Sequence, residues 1–377
     1  MNFAFTEEQQ ELRAAARAFL AEVSSSERVR AAMASELGYD PEVWKRIASE
    51  LGWPAAIVPE AYGGLGLGAV ELVALTEAMG EALLCSPFFA TVCLAAQAVL
   101  AAGSEEQKQR YLAPIAEGSA RAALATAEPG LAHGEVALEA RREGDGYRLD
   151  GTKRYAIDGH SADWLVVSAR APGSRGDDGV SLFAVAGDSA GLERRALPTM
   201  DMTRRQAELR FAGLRVHASA RLGEEGAGAQ ALRRALDLGA ISLAAESVGG
   251  AQRCLDLAVA YAKEREQFGR PIGSFQAIKH KCADMMVKVE TARSAAYYAA
   301  CAAAEQPDDL PVAASLAKAY CSEAYYHCAA ETIQIFGGVG FTWEYDPHLY
   351  FKRARASESL LGTPAWHRER VARAIGL

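Results

Sequence analysis

Two segments carry side chains suited to gripping a ligand. The first is Glu264-Arg265-Glu266-Gln267-Phe268-Gly269-Arg270-Pro271-Ile272-Gly273, followed by Phe275-Gln276. Arginine suits phosphate because its planar fork makes paired, charge-assisted hydrogen bonds, and phenylalanine offers a flat face to a heterocycle. The second is Gln334-Ile335-Phe336-Gly337-Gly338-Val339-Gly340-Phe341, whose glycines let a ligand approach the backbone closely. Read from residues alone, each has a plainer meaning. The first is also a solvated helix end, with Arg265 and Gln267 in the last turn and a stop at Gly269 and Pro271. The second is also a helix cap and turn.

Lesser signals are Ala127-Glu128-Pro129-Gly130 and Gly362-Thr363. The Gly-rich run from Val58 to Gly66 lacks the G-x-G-x-x-G order and a strand-to-helix setting, so it does not read as a dinucleotide loop. The seven cysteines, at 85, 93, 254, 282, 301, 321 and 328, show no C-x-x-C spacing. Most lie in Ala-rich helical stretches and read as small buried thiols of a reducing cytoplasm, with no metal site.

The elements that must position these segments follow from periodicity. Thr6 followed by Gln9 is a capping-box start, and Leu12, Ala16, Phe19 and Leu20 continue at helical spacing. A second helix is expected from Pro41 to Leu51, stopping at Gly52. From about Arg121 the pattern becomes β: alternation over 147–155 around Asp150-Gly151 predicts a hairpin, and 164–168, 180–184 and 207–216 predict further strands. A polar loop is expected at 173–179. Long amphipathic helices are expected over 229–266, 275–304 and 311–336, with Ala-rich faces that permit close packing.

The chain has 377 residues, enough for two or three domains. Its net charge of -8 argues against nucleic acid as a main partner and leaves a phosphorylated ligand open. No apolar run approaches the roughly 20 residues of a membrane span, and the N-terminus lacks the pattern of a signal peptide.

Together, in this order, the motifs resemble the acyl-CoA dehydrogenase family over nearly the full chain. Pro59-Glu60-Ala61-Tyr62-Gly63-Gly64 and Glu105-Glu106-Gln107-Lys108-Gln109-Arg110-Tyr111-Leu112 share in the resemblance. It implies an α+β fold: an N-terminal helical domain (1–120), a central β-barrel (121–225) and a C-terminal four-helix bundle (226–377). It also implies FAD, an acyl-CoA substrate and electron transfer to an electron-transferring flavoprotein. In that family a glutamate takes the α-proton of the thioester while the β-hydrogen leaves as hydride to the flavin. A positioned base is needed because the α-carbon is only weakly acidic.

By the same resemblance, Arg265, Gln267, Phe268 and Gln276 reach the pyrophosphate and adenine side of a neighbouring subunit's FAD. Gln334, Gly337 and Gly338 lie along its ADP part. The half that would hold the chain's own flavin ring departs from the pattern. Thr-Glu-Pro-Gly-x-Gly-Ser-Asp becomes Ala127-Glu128-Pro129-Gly130-Leu131-Ala132-His133-Gly134, and Trp-Ile-Thr-Asn-Gly has Tyr155 and Ile157 at its first and third positions. Leu361 occupies the usual position of the catalytic glutamate. Gly239 occupies the alternative one, and Ala240 the neighbouring arginine position.

Glu246 is a candidate substitute, seven residues past Gly239. That spacing returns it to nearly the same helix face, but about 10 Å along the axis. His133, Asp237 and Glu358 are weaker candidates. The pattern resembles the subunit without a base in actinobacterial α2β2 acyl-CoA dehydrogenases, where an unlike partner supplies the glutamate and the ring surface. Two alternatives remain: a self-sufficient homo-oligomer using Glu246, and a non-redox subunit that keeps the fold without flavin.

Overall fold

The structure is a computed structural model, and residues 6–377 are described. Helix α1 (Glu7–Val23) begins as its capping box predicts: the Thr6 hydroxyl accepts from the Gln9 N–H, and the Gln9 amide oxygen accepts from the Thr6 N–H. Then follow α2 (Ser26–Ala34), α3 (Pro41–Ser49) and α4 (Ala69–Glu81). A π-helical stretch, Phe89–Ala96, runs into α5 (Gln97–Ala102), and α6 (Glu105–Ala116) comes next. The strands are β1 (Ala122–Ala125), β2 (Glu139–Glu143), β3 (Gly146–Ile157), β4 (Trp164–Arg170), β5 (Val180–Ala186), β6 (Leu192–Ala196), β7 (Gln206–His217) and β8 (Arg221–Leu222). The C-terminal part contains α7 (Gly228–Glu264), the two-residue strands β9 (Glu266–Gln267) and β10 (Arg270–Pro271), α8 (Gln276–Glu305), α9 (Leu310–Phe336), α10 (Pro347–Ser359) and α11 (Pro364–Ala374). This is the α+β order of helices, sheet and helices.

The described residues form two compact units. One contains residues up to Ala31, Ala69–Leu84 and Ala240–Leu377; the other contains Ala32–Gly68 and Cys85–Gly239. Element type divides the chain in three along its length, whereas compactness groups α1 and α4 with the C-terminal helices. Two glycines explain how closely α4 packs there. A Cβ on Gly80 would stand 2.0 Å from the Glu246 carbonyl oxygen, and one on Gly249 would stand 1.8 Å from that of Glu77. Any side chain at either position would force α4 off α7.

The second unit is built on one eight-stranded sheet, ordered β6-β7-β3-β2-β4-β5-β8, with β1 pairing β4 in parallel. Val166, Val167, Leu149, Leu165, Leu182, Phe183, Leu209 and Leu214 are buried in it. The expected hairpin at Asp150-Gly151 is corrected. The β2–β3 turn lies at Gly144-Asp145, where Glu143 pairs with Gly146, and β3 runs unbroken through 150–151. Asp150-Gly151 forms instead an irregularity in the β3–β7 register; Gly151 has φ 144° there, and the Asp150 carboxylate accepts from the Gly213 N–H. Among the described residues no helix is long and apolar enough to cross a membrane.

Candidate functional site

The helix ends before the Arg265 segment rather than at Gly269 and Pro271, and the rest of the segment is a hairpin. Helix α7 stops at Glu264, and β9 and β10 form a small hairpin in which Gln267 pairs with Arg270 and Glu266 with Pro271. Its two turn residues, Phe268 and Gly269, have φ 55° and 73°. A two-residue turn with both φ positive normally takes Asn-Gly or Gly-Gly; a bulky side chain held left-handed costs roughly 1–2 kcal/mol. Phe268 is also 92% exposed. A strained aromatic presented to solvent is costly in the isolated chain, and covering its ring by a ligand or a second chain would offset that cost. Arg265, Gln267 and Gln276 are exposed beside it.

Helix α9 brings the second segment to the same region of this unit. Tyr261, one turn before the hairpin, stacks on Phe336 with ring centroids 4.1 Å apart and planes 13° apart, and the Arg265 N–H donates to the Tyr261 carbonyl. Gln334, Gly337 and Gly338 are exposed. Gly337 needs glycine for its φ of 66°. Gly338 has no such need: it is not left-handed, and a Cβ there would meet nothing within 4 Å. The chain's own packing does not require a glycine at 338, whereas close approach of a ligand would.

The turn at the expected base position is held from two sides. Leu361 has φ 55°, and its carbonyl lies 2.9 Å from a ring nitrogen of buried His367. The fully buried Lys318 ammonium donates to the carbonyls of Glu358 (2.8 Å) and Gly362 (2.5 Å). Burial pushes Lys318 down to about 7. Lys318 stands out in sequence only as a lysine inside the apolar run of α9. Glu246 is buried and bound to the buried Arg353 guanidinium at 2.7 Å, an ion pair between α7 and α10. Glu358 accepts from the Arg355 guanidinium.

In the other unit, the segment expected to face the chain's own flavin is closed on itself. The Glu128 carboxylate accepts from the N–H groups of Ala137 (2.9 Å) and Leu138 (3.0 Å) and from Lys153 Nζ (2.6 Å). Lys153, fully buried, also donates to the Thr126 carbonyl and the Ser168 hydroxyl. Burial lowers it to about 8 against the opposing pull of Glu128. Alternation along β3 is the signal that could have placed Lys153 inward. Ala127 is exposed but carries only a methyl, Ile157 is buried and apolar, and Tyr155 is half exposed at φ 61°. His133 is half-buried in this loop, and Asp237 and Gly239 are buried in the first part of α7.

The chemistry of these donor sets can be tested against FAD. An exposed guanidinium, exposed amides and an open glycine fit an anionic pyrophosphate and the adenosine beside it. Ala127 and Ile157 offer no hydroxyl to a flavin ring, and leaving a buried polar ring atom unpaired costs about 1–3 kcal/mol. Among the described residues no cluster of His, Cys, Asp or Glu could hold a metal ion.

Comparison with known proteins agrees along the chain. The N-terminal domain model of acyl-CoA dehydrogenases matches residues 6–119, the middle domain model 123–214 and the C-terminal domain model 226–376. The acyl-CoA dehydrogenase IpdE2 of Mycolicibacterium smegmatis is 36% identical over 359 residues, covering 95% of this chain and 96% of the relative. Among solved structures, butyryl-CoA dehydrogenase from Megasphaera elsdenii superposes with TM-score 0.91 at 30% identity, covering all of both chains. A chain of the ChsE4-ChsE5 complex from Mycobacterium tuberculosis superposes with TM-score 0.90 at 30% identity, covering 100% of this chain and 99% of that one. With all three domains matched in order, the chain belongs to the acyl-CoA dehydrogenase family of FAD-binding oxidoreductases.

Proposed function

We propose that this chain is the subunit of a heteromeric acyl-CoA dehydrogenase that completes a partner's FAD site, while the unlike partner carries the catalytic glutamate. One observation carries the reading: the chain presents a strained, exposed Phe268 hairpin, although neither base position bears a carboxylate. Arg265 and Gln267 would hold the pyrophosphate of the partner's cofactor, Phe268 would cover its adenine side, and Gln276, Gln334 and the Gly337-Gly338 backbone would line the ADP part. Bound FAD supplies a hydride acceptor for the β-hydrogen of an acyl-CoA. This chain's residues bind and orient that cofactor and exclude water from its ADP part; removal of the α-proton falls to the partner. Leu361 and Gly239 have no group able to take the proton, and Glu246 is already engaged by Arg353. A structural relative that is a complex of two differently named chains supports the arrangement. The expected assembly is α2β2, with electrons passing to an electron-transferring flavoprotein.

The test is to purify the chain alone and together with the protein encoded beside it, then measure flavin absorbance and acyl-CoA-dependent dye reduction. Flavin and turnover are expected only in the co-purified pair. Full flavin occupancy and turnover in the isolated chain would eliminate the heteromer, and a flavin-free pair would favour a non-redox role.

A further inference from the structure

We propose that Arg270 is a positioning residue for the cofactor. Stacked on Phe275, it holds the Phe268-Gly269 turn in its presenting conformation; the cofactor role rests on the function proposed above. Phe268 is a poor residue for a turn with both φ values positive, so something outside the two-residue strands must hold it. The Arg270 guanidinium carbon lies 4.1 Å from the Phe275 ring centroid, close enough for a favourable cation–π contact. The Phe268 ring meets the same Phe275 edge-on, with centroids 6.1 Å apart and planes at 82°. Phe275 itself is fixed at the start of α8, and its N–H donates to the Ile272 carbonyl. One aromatic ring therefore braces both the residue before β10's proline and the residue at the turn tip.

Two further details direct Arg270 to this task. Among the described residues no carboxylate pairs with its guanidinium, so the ring is the contact that orders its side chain. The hairpin is closed on the far side by the Ile272 N–H, which donates to the Arg265 carbonyl at 2.8 Å. Loosening the stack would thus release the backbone of Arg265 as well as the tip, and Arg265 and Gln267 would lose their shared orientation.

The experiment has two readouts on the full-length chain. In the isolated protein, hydrogen exchange at the Ile272 amide reports hairpin closure without any flavin. In the co-purified pair, FAD release on dilution, followed by flavin fluorescence, reports cofactor grip. Arg270→Ala and Phe275→Leu should each speed Ile272 exchange by about fivefold, and the double variant should add little because one contact is removed twice. Phe275→Tyr keeps the ring and should retain both protection and FAD.

Unchanged exchange in both single variants would overturn the bracing. Faster exchange with unchanged FAD release would overturn the cofactor role. A direct Arg270–phosphate contact, the competing explanation, predicts that Arg270→Ala loses FAD while Phe275→Leu keeps it, and that result would also overturn the proposal. If the wild-type pair holds no FAD, the heteromer reading fails and the cofactor role with it, while the exchange data locate the failure away from the stack.

Discussion

The hairpin region and the region expected to face a flavin ring differ in where their polar and aromatic groups are presented. In the first, a left-handed Phe268 is exposed, residue 338 is a glycine that the fold does not require, and the charged and amide groups of Arg265, Gln267 and Gln276 face solvent. In the second, the polar groups are spent internally. Glu128 takes two backbone N–H groups and Lys153, and the positions where the family resemblance implies hydroxyls hold Ala127 and Ile157. Features that cost the isolated chain free energy and return little to its own packing are the ones expected to serve another molecule.

Glu246 offers the most direct way to break this contrast, because a working base there would make the chain self-sufficient. A buried ion pair that loses one partner leaves an uncompensated charge and costs about 3–5 kcal/mol. Arg353→Met should therefore lower the unfolding free energy by about that amount in urea titrations. Glu246→Gln in the co-purified pair should leave kcat intact once folding is allowed for. A stable Glu246→Gln protein with lost turnover would instead identify a base.

Arg265 probes the hairpin region. Removing a charge-assisted contact to phosphate costs about 1.5–3 kcal/mol, roughly a tenfold to hundredfold faster loss of FAD from the pair. Arg265→Ala should weaken FAD retention more than Glu246→Gln does, and flavin content unaffected by Arg265→Ala would remove the hairpin from the site. A third, smaller test restores the missing carboxylate. Leu361→Glu places one on a turn already fixed by Lys318 and His367, yet the isolated chain should stay without acyl-CoA turnover, since Ala127 and Ile157 still offer the flavin ring no hydroxyl. Turnover in isolated Leu361→Glu would show that the ring region is intact after all.

The sequence exposed one side of this contrast better than the other. The long helices, the Thr6 cap and most strands were legible because periodicity and capping are local. The order of helices and strands, with the motifs between them, carried the family. Asp150-Gly151 misled because the same dipeptide serves a hairpin turn or an irregularity inside a strand, and only the pairing of β3 with β7 decides. The Arg265 segment was not legible as a hairpin, since Gly269 and Pro271 suit a helix stop equally well. The Glu128–Lys153 and Glu246–Arg353 pairs join residues 25 and 107 positions apart, distances over which one sequence carries no pairing signal.

The smallest expected effect is a pH response that samples both regions. Lys318 beneath the Leu361 turn is pushed down to about 7 and Lys153 beneath the Glu128 loop to about 8, from an ordinary 10.5. Between those folded values and 10.5 the unfolded chain holds a proton that the folded chain has released, so the unfolded state binds more protons and stability rises with pH. Below about 7 both states carry the Lys318 proton and its share of that gain is lost. Neutral Lys318 still has two N–H groups for the Glu358 and Gly362 carbonyls, so the turn need not open as the charge leaves. The urea midpoint should therefore climb from pH 7 to pH 9. Lys318→Met should be less stable at both values, having left two carbonyls without their donor, but should climb less. Lys153→Met should flatten the climb in the same sense by acting on the ring-facing region alone. A slope identical in wild type and both variants would mean that neither buried ammonium releases its proton on folding, and that both regions tolerate a permanently buried charge.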